Sequence, residues 1–172
     1  MIAPTLRSER LTLRPVRDCD LDALAKIIAS PGVREWWGEA DEPERLRENL
    51  RSDEDGHFTA FLIEVDGQVA GWLGTSEETD PDYRHAALDI SLASEYQGHG
   101  LGPEALRTAI EWLVRERGHH RFTIDPAVAN KRAIEAYRRV GFKPVGVLRR
   151  HERTRAGSWR DGLLMDLLAE EL

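Results

Sequence analysis

Cys19 is the only cysteine in 172 residues, so no intramolecular disulfide can form and nothing points to an oxidising compartment. No apolar run approaches the length that spans a bilayer, and the opening MIAPTLRSERLTLRP lacks the apolar core of a signal peptide. The expectation is a cytoplasmic protein with no membrane partner. Positive charge is also in deficit, with 24 Lys and Arg against 31 Asp and Glu for a net charge of −7. No basic stripe stands out, so a nucleic-acid partner is not expected. The histidines fit no metal pattern: His119 and His120 are adjacent, and His151-Glu152 lacks the second histidine of H-E-x-x-H. No metal is expected. What remains is 41% hydrophobic and 32% charged, enough for one domain over residues 1–172 and too little for two ordinary ones.

The stretch that stands out is QGHGLGP, residues 97–103. It follows the alternating run ALDISL, residues 87–92, and leads into a helical pattern that opens at Pro103. Gly98, Gly100 and Gly102 allow a tight strand-to-helix turn whose N–H groups gather at the positive end of a helix, which makes a phosphate cradle. A P-loop would end in Gly-Lys-Ser/Thr and a dinucleotide turn would read G-x-G-x-x-G; neither fits, because the third glycine comes one residue early.

What remains is Q-x-x-G-x-G at Gln97, Gly100 and Gly102, which resembles the acetyl-CoA pyrophosphate loop of the GNAT superfamily of N-acetyltransferases. About thirty residues later ANKRAIEAYRRVGF sets Asn130, Ala133, Tyr137, Gly141 and Phe142 as N-x-x-A-x-x-x-Y-x-x-x-G-F, similar to the superfamily's other cofactor-contacting helix. The two motifs in this order cover the C-terminal half. The resemblance implies an α/β (α+β) GNAT fold, with a mixed, mostly antiparallel sheet flanked by helices, and acetyl-CoA as co-substrate.

The patterning along the chain is compatible with that fold. Leu11, Leu13 and Pro15 alternate as a first strand. Asp18 or Asp20 can cap a helix on Leu21, Leu24, Ile27 and Ile28, which Pro31-Gly32 stops. A mostly charged helical segment is expected over 42–51. Residues 58–65 and 68–74 read as strands joined by Asp66-Gly67, a strong hairpin signal, and the strand over 87–92 completes a meander. Leu106, Ala109, Ile110, Leu113 and Val114 share one helical face, and Gly118 lies past its end. A short strand over 121–124 precedes Asp125-Pro126. Asn130 is placed to cap a helix on Ala133, Ile134, Tyr137 and Val140, closed by Gly141. Residues 142–148 and 159–168 are further strand candidates, and an exposed edge strand could pair two subunits into a homodimer.

Acetyl transfer needs a held donor, a neutral amine, a polarised carbonyl and a proton for the departing thiolate. The main-chain N–H groups of Gln97, Gly98, His99, Gly100, Leu101 and Gly102 are candidates to hold the pyrophosphate. The resemblance adds main-chain groups of Leu92 and Ala93 on the pantetheine arm, and the Asn130 side chain as a cofactor contact. It also places Tyr137 at the general-acid position, where a phenol can protonate a thiolate; otherwise Tyr137 is a core aromatic. On the strand before the loop Leu88, Ile90 and Leu92 face one side and Ala87, Asp89 and Ser91 the other. LDISLA is similar to a D-x-S-L-A stretch of aminoglycoside 6'-N-acetyltransferases, which makes Asp89 a candidate base or amine anchor, its pKa raised by partial desolvation. The alternative is an aspartate bonded to a neighbouring strand or loop.

The acceptor is left open between a small-molecule amine and a peptide N-terminus. VREWWG, ETDPDYR and TIDPAVANKRAIEAY resemble aminoglycoside 6'-N-acetyltransferases and nominate Trp36, Trp37 and Asp80 as substrate contacts. The tryptophans could equally bury apolar area. SERLTLRP and GSWRDGLLMDLL look like the ribosomal-protein N-terminal acetyltransferases, the RimJ/RimL type. Acidic residues over 39–44 and 77–82 either draw a polycation toward a cleft or form a solvated surface. Cys19 lies in the wrong half for an acyl-enzyme, and a chain that binds acyl-CoA without transfer is a further alternative.

Overall fold

The structure, a computed structural model, describes residues 3–37, 48–53 and 55–172. Gly38, the acidic run over 39–44 and most of the expected helix over 42–51 lie outside the described residues. Eight strands form one sheet in the order β1-β2-β3-β4-β5-β6-β8-β7. They are β1 (Leu6–Arg7), β2 (Thr12–Pro15), β3 (Phe58–Val65), β4 (Gln68–Glu78), β5 (His85–Leu92), β6 (Arg121–Ile124), β7 (Lys143–Arg153) and β8 (Trp159–Leu168). Every neighbouring pair is antiparallel except β5 and β6. The chain therefore has the mixed α/β architecture that the patterning implies.

Three helices are described: α1 (Leu21–Ile28), α2 (Leu101–Arg115) and α3 (Lys131–Val140). Leu21, Leu24 and Ile28 of α1 pack with Val33, Leu62 and Trp72 on one face of the sheet. Leu106, Ile110 and Leu113 of α2 and Ile134, Tyr137 and Val140 of α3 pack with Phe61, Leu73, Leu88 and Phe122 on the other. Each helix buries one stripe of apolar residues at its own period, so the strand alternation decides which layer each side chain joins. None of the described helices is long and apolar enough to cross a membrane.

Three details differ from expectation. Asp20 sits at the N-cap of α1 without a side-chain cap, because its carboxylate accepts the Arg14 guanidinium at 2.7 and 2.8 Å and the Arg17 N–H at 2.8 Å. The Arg14 hydrogen bonds hold that carboxyl below its usual range. Strands β4 and β7 run well past residues 74 and 148. The third detail is Glu77, in that β4 extension: it is buried, and its Oε2 accepts Arg117 Nε at 2.9 Å and binds His119 Nε2 at 2.6 Å. Glu77 is thus a structural carboxylate rather than part of an acidic surface.

Removing one partner of such a group strands the others in a dry environment. Glu77→Ala is expected to cost about 3 kcal/mol, read as a lower urea midpoint at unchanged slope.

Candidate active site

Strands β5 and β6 pair only at Ala86 with Phe122 and Ala87 with Thr123. Beyond that they part, and two clefts of about 260 and 330 Å³ open beside the gap. Trp36, Trp37, Ile90, Asn130 and Tyr137 line both, so the two spaces meet at these side chains.

The backbone of β5 prepares the first cleft. The Ala93 N–H donates to the Ala70 carbonyl at 2.9 Å, which makes that a hydrogen-bonded pair. Antiparallel alternation then turns the main-chain groups of Leu92 and Ile90 away from β4, toward the gap. The Leu92 carbonyl accepts Gln97 Nε2 at 2.6 Å, and the Ala93 carbonyl accepts the Tyr96 N–H at 2.9 Å. Both main-chain groups of Ala93 are thus engaged within the protein, whereas the Leu92 N–H points at the cleft. The Gln97 side chain, for its part, ties the loop to the strand end.

The glycine loop supplies the cleft's end wall. Gly98 and Gly100 have φ of 81° and 80°, and no atom lies within 4 Å of a Cβ built at Gly98, so the backbone turns and stays open at once. α2 begins at Leu101, two residues before Pro103, and has no side-chain cap. The N–H groups of its first turn are thus uncapped beside Gly98, Gly100 and Gly102, which line the cleft. His99 and Leu101 do not line it; the His99 carbonyl accepts Arg10 Nη1 at 2.9 Å, and Leu101 is buried in the core. Glu104 braces the turn from inside, accepting Ser8 Oγ at 2.7 Å and the Arg10 N–H at 2.9 Å. Across the cleft stand Arg132 and Arg139 of α3. Glu135 lines the cleft as well and lies 3.6 Å from Arg139 Nε; an uncapped helix start in a cleft that also holds two arginines suits a pyrophosphate. Asn130 Oδ1 caps α3 by accepting the Ala133 N–H at 3.1 Å, and the residue lines both clefts.

The second cleft is acidic. Asp89, Asp125 and Glu152 line it with His151, Phe58 and both tryptophans. Asp89 is open to the cleft yet packed around by protein. Desolvation, with the charges of Asp125 and Glu152, pushes its pKa up to about 7 against a hydrogen bond from the Ile90 N–H. Burial, then the charges of Asp89 and Asp125, hold the Tyr137 phenol above its usual range, so it stays protonated at neutral pH. His151 and Glu152 reach the cleft from a bulge in β7, where the register shifts between Leu148 and Glu152 and Arg150 takes φ of 51°. Gly162 makes room, since a Cβ there would lie 2.9 Å from His151 Cδ2, and the His151 ring meets the Asp125 carboxylate.

Asp80 lines neither cleft; its carboxylate accepts the Asp82 N–H at 2.9 Å and closes its own turn. Trp36 and Trp37 line both clefts, and Trp37 also packs edge-on against the buried Trp72 with ring centroids 5.2 Å apart. Sequence reasoning missed Asp125, His151 and Glu152. Asp125-Pro126 read as a strand end and His151-Glu152 as a failed metal motif. The available signal for Asp125 was its place at the carboxyl end of a parallel strand, where α/β sheets bind ligands.

The sequence model of the Acetyltransferase (GNAT) domain matches residues 10–143. The chain belongs to the GNAT acetyltransferases. It is similar to the aminoglycoside N(6')-acetyltransferase type 1 of Klebsiella pneumoniae, 29% identical over 163 residues that cover 84% of this chain and 79% of that protein. It is likewise similar to the spermidine N(1)-acetyltransferase of Escherichia coli strain K12, 29% identical over 158 residues covering 89% and 83%. Among solved structures, Mycobacterium smegmatis RimJ in complex with CoA-disulfide superposes with a TM-score of 0.84 at 28% identity, covering 98% of this chain and 88% of that one. This chain is therefore an N-acetyltransferase, an acyltransferase that uses acyl-CoA.

Asp89 has a stability signature of its own. Its folded pKa, about 7, lies above the ordinary value of 3.8, so the native state holds the extra proton between those pH values and loses stability as pH rises through 7. Asp89→Asn is expected to raise Tm above wild type at pH 8, with the gap closing as pH falls toward 4; scanning calorimetry across that range checks it.

Proposed function

We propose that this acetyltransferase moves an acetyl group from acetyl-CoA directly to a primary amine of a small polycation, an aminoglycoside-like sugar or a polyamine. The observation that carries the reading is the carboxylate-lined cleft of Asp89, Asp125 and Glu152, which adjoins the donor cleft at Tyr137 and Ile90. A peptide N-terminus carries one charge and needs an open groove, whereas several carboxylates around tryptophan rings suit several ammonium groups.

In this reading acetyl-CoA supplies an activated acyl group and a thiolate leaving group. The loop over 97–102 and the start of α2 bind its pyrophosphate, and the Leu92 N–H orients the pantetheine arm. Asp89 accepts the amine proton; a carboxyl with pKa about 7 takes a proton from an ammonium more readily than an ordinary aspartate would. The Tyr137 phenol gives a proton to the sulfur. The tryptophans close the acceptor side against water. Cys19 is exposed and lines neither cleft, in keeping with direct transfer in a ternary complex. The aminoglycoside and spermidine relatives support the acceptor class. The likeness to RimJ favours a second reading, in which the acceptor is a protein α-amine.

The test is free-thiol release from acetyl-CoA with tobramycin, spermidine and short peptides with free Ser or Ala termini. Turnover with the polycations alone is expected; turnover with peptides alone would move the assignment to the second reading, and donor binding without any turnover would leave a binding domain. In wild type kcat/KM should rise with pH through about 7, because the carboxylate must be unprotonated to act. Asp89→Asn should lower kcat by about 100-fold and abolish that limb, and Tyr137→Phe should lower kcat by a similar factor while leaving donor binding unchanged.

A further inference from the structure

Arg160 of β8 lines neither cleft, yet its guanidinium gathers parts of the acceptor wall that are far apart in the chain. Its Nη1 donates to the Glu35 carbonyl and its Nη2 to the Trp36 carbonyl, each at 2.7 Å. Its Nε donates to Glu152 Oε2 at 2.8 Å, and Nη2 lies 2.7 Å from the same oxygen. The guanidinium carbon is also 5.6 Å from the centroid of the Trp36 ring. The side chain is only 17% exposed, so these contacts are shielded from water and salt.

The two things joined are the segment 31–37 and the β7 bulge. The segment leaves α1 through turns in which Val33 and Arg34 donate to the Ser30 carbonyl, and Ser94 Oγ holds its start by donating to the Pro31 carbonyl at 3.2 Å. At the tryptophan end the polar anchors to the sheet, among the described residues, are Arg160's two bonds to main-chain carbonyls. On the other side the bulge, steadied by the Arg150 N–H donating to Asp161 Oδ1 at 2.7 Å, sets Glu152 directly across from Arg160 in the ladder. One planar fork therefore fixes the distance between Trp36 and Glu152, two walls of the same cleft. A lysine has neither the fork nor the stacking plane.

We propose that Arg160 is a positioning residue for the acceptor: it latches the segment 31–37 to the β7 bulge and thereby sets acceptor affinity. This rests on reading the acidic cleft as the acceptor site. Arg160 also offsets the charge of Glu152. The groups facing Asp89 from the surrounding elements are Asp125 with its partner His151, Glu152, and the Tyr137 phenol. Removing the guanidinium leaves Glu152 uncompensated and strengthens the repulsion that Asp89 already feels from it.

The experiment compares wild type, Arg160→Gln and Arg160→Lys by amide hydrogen exchange and by steady-state kinetics with tobramycin and spermidine. For Arg160→Gln, exchange over 31–37 should quicken with protection of β6 and α2 retained. Acceptor KM should rise about tenfold, as expected for losing a charge-assisted hydrogen bond, while kcat and the KM for acetyl-CoA stay within about twofold, and the acid limb of kcat/KM should move to higher pH. Arg160→Lys keeps the charge, so it should restore the acid limb and leave the segment loosened; it also serves should the glutamine variant fail to fold. Unchanged exchange over 31–37, or loosening with no change in acceptor KM, would overturn the latch. If wild type acetylates neither polycation, it is the acceptor reading that fails, and exchange over 31–37 alone decides whether Arg160 holds the segment.

Discussion

The parting of β5 and β6 after two paired residues is the constraint on which the site depends. A parallel pair that continued would satisfy the main chain of Ile90 and Leu92 in a ladder and leave no room for a ligand. Because it stops, polar backbone groups face an open gap, and burying them without a partner would be costly. The molecule meets this partly from within, by sending the Gln97 amide to the Leu92 carbonyl. The remaining donor at Leu92 is directed to the first cleft.

The same parting decides where the helices begin. β5 ends in a short turn over Ser94–Tyr96, and the glycine loop then delivers the chain to α2 with its first turn uncapped. β6 ends at Ile124, and the chain passes to Asn130, whose side chain caps α3. One helix thus presents bare N–H groups to the gap and the other presents guanidiniums and a phenol.

Acidity is local rather than general. Of the acidic residues at the end of β4 and the turn that follows, Glu77 is consumed by Arg117 and His119 inside the protein, and Asp80 closes a turn. The carboxylates that face the second cleft come from three separate elements: the middle of β5, the end of β6 and the bulge of β7. Two of them have side-chain partners, Asp125 in His151 and Glu152 in Arg160. Among the described residues no cation is paired with Asp89, and desolvation, with the charges of Asp125 and Glu152, raises its proton affinity.

Much of this was legible in the residues taken in order. Period-two and period-3.6 patterns, the Asp66-Gly67 turn, the glycines of the loop and the Asn130 to Gly141 spacing are local signals. Local signals locate β3, β6, β8, α1 and α3 and identify the family's donor motifs, because backbone geometry ties each to its neighbours in the chain. The wall of the second cleft is different. Asp125, His151, Glu152 and Arg160 carry no shared motif, and a bulge with Arg150 in a left-handed conformation cannot be read from an apolar pattern. Their meeting with Trp36 is set by the order in which eight strands lie side by side, in which β8 inserts between β6 and β7. Sequence alone determined the family and its two motifs, since those are signals of contiguous residues; only the tertiary structure decided which side chains line the second cleft, since those are brought together by non-local pairing.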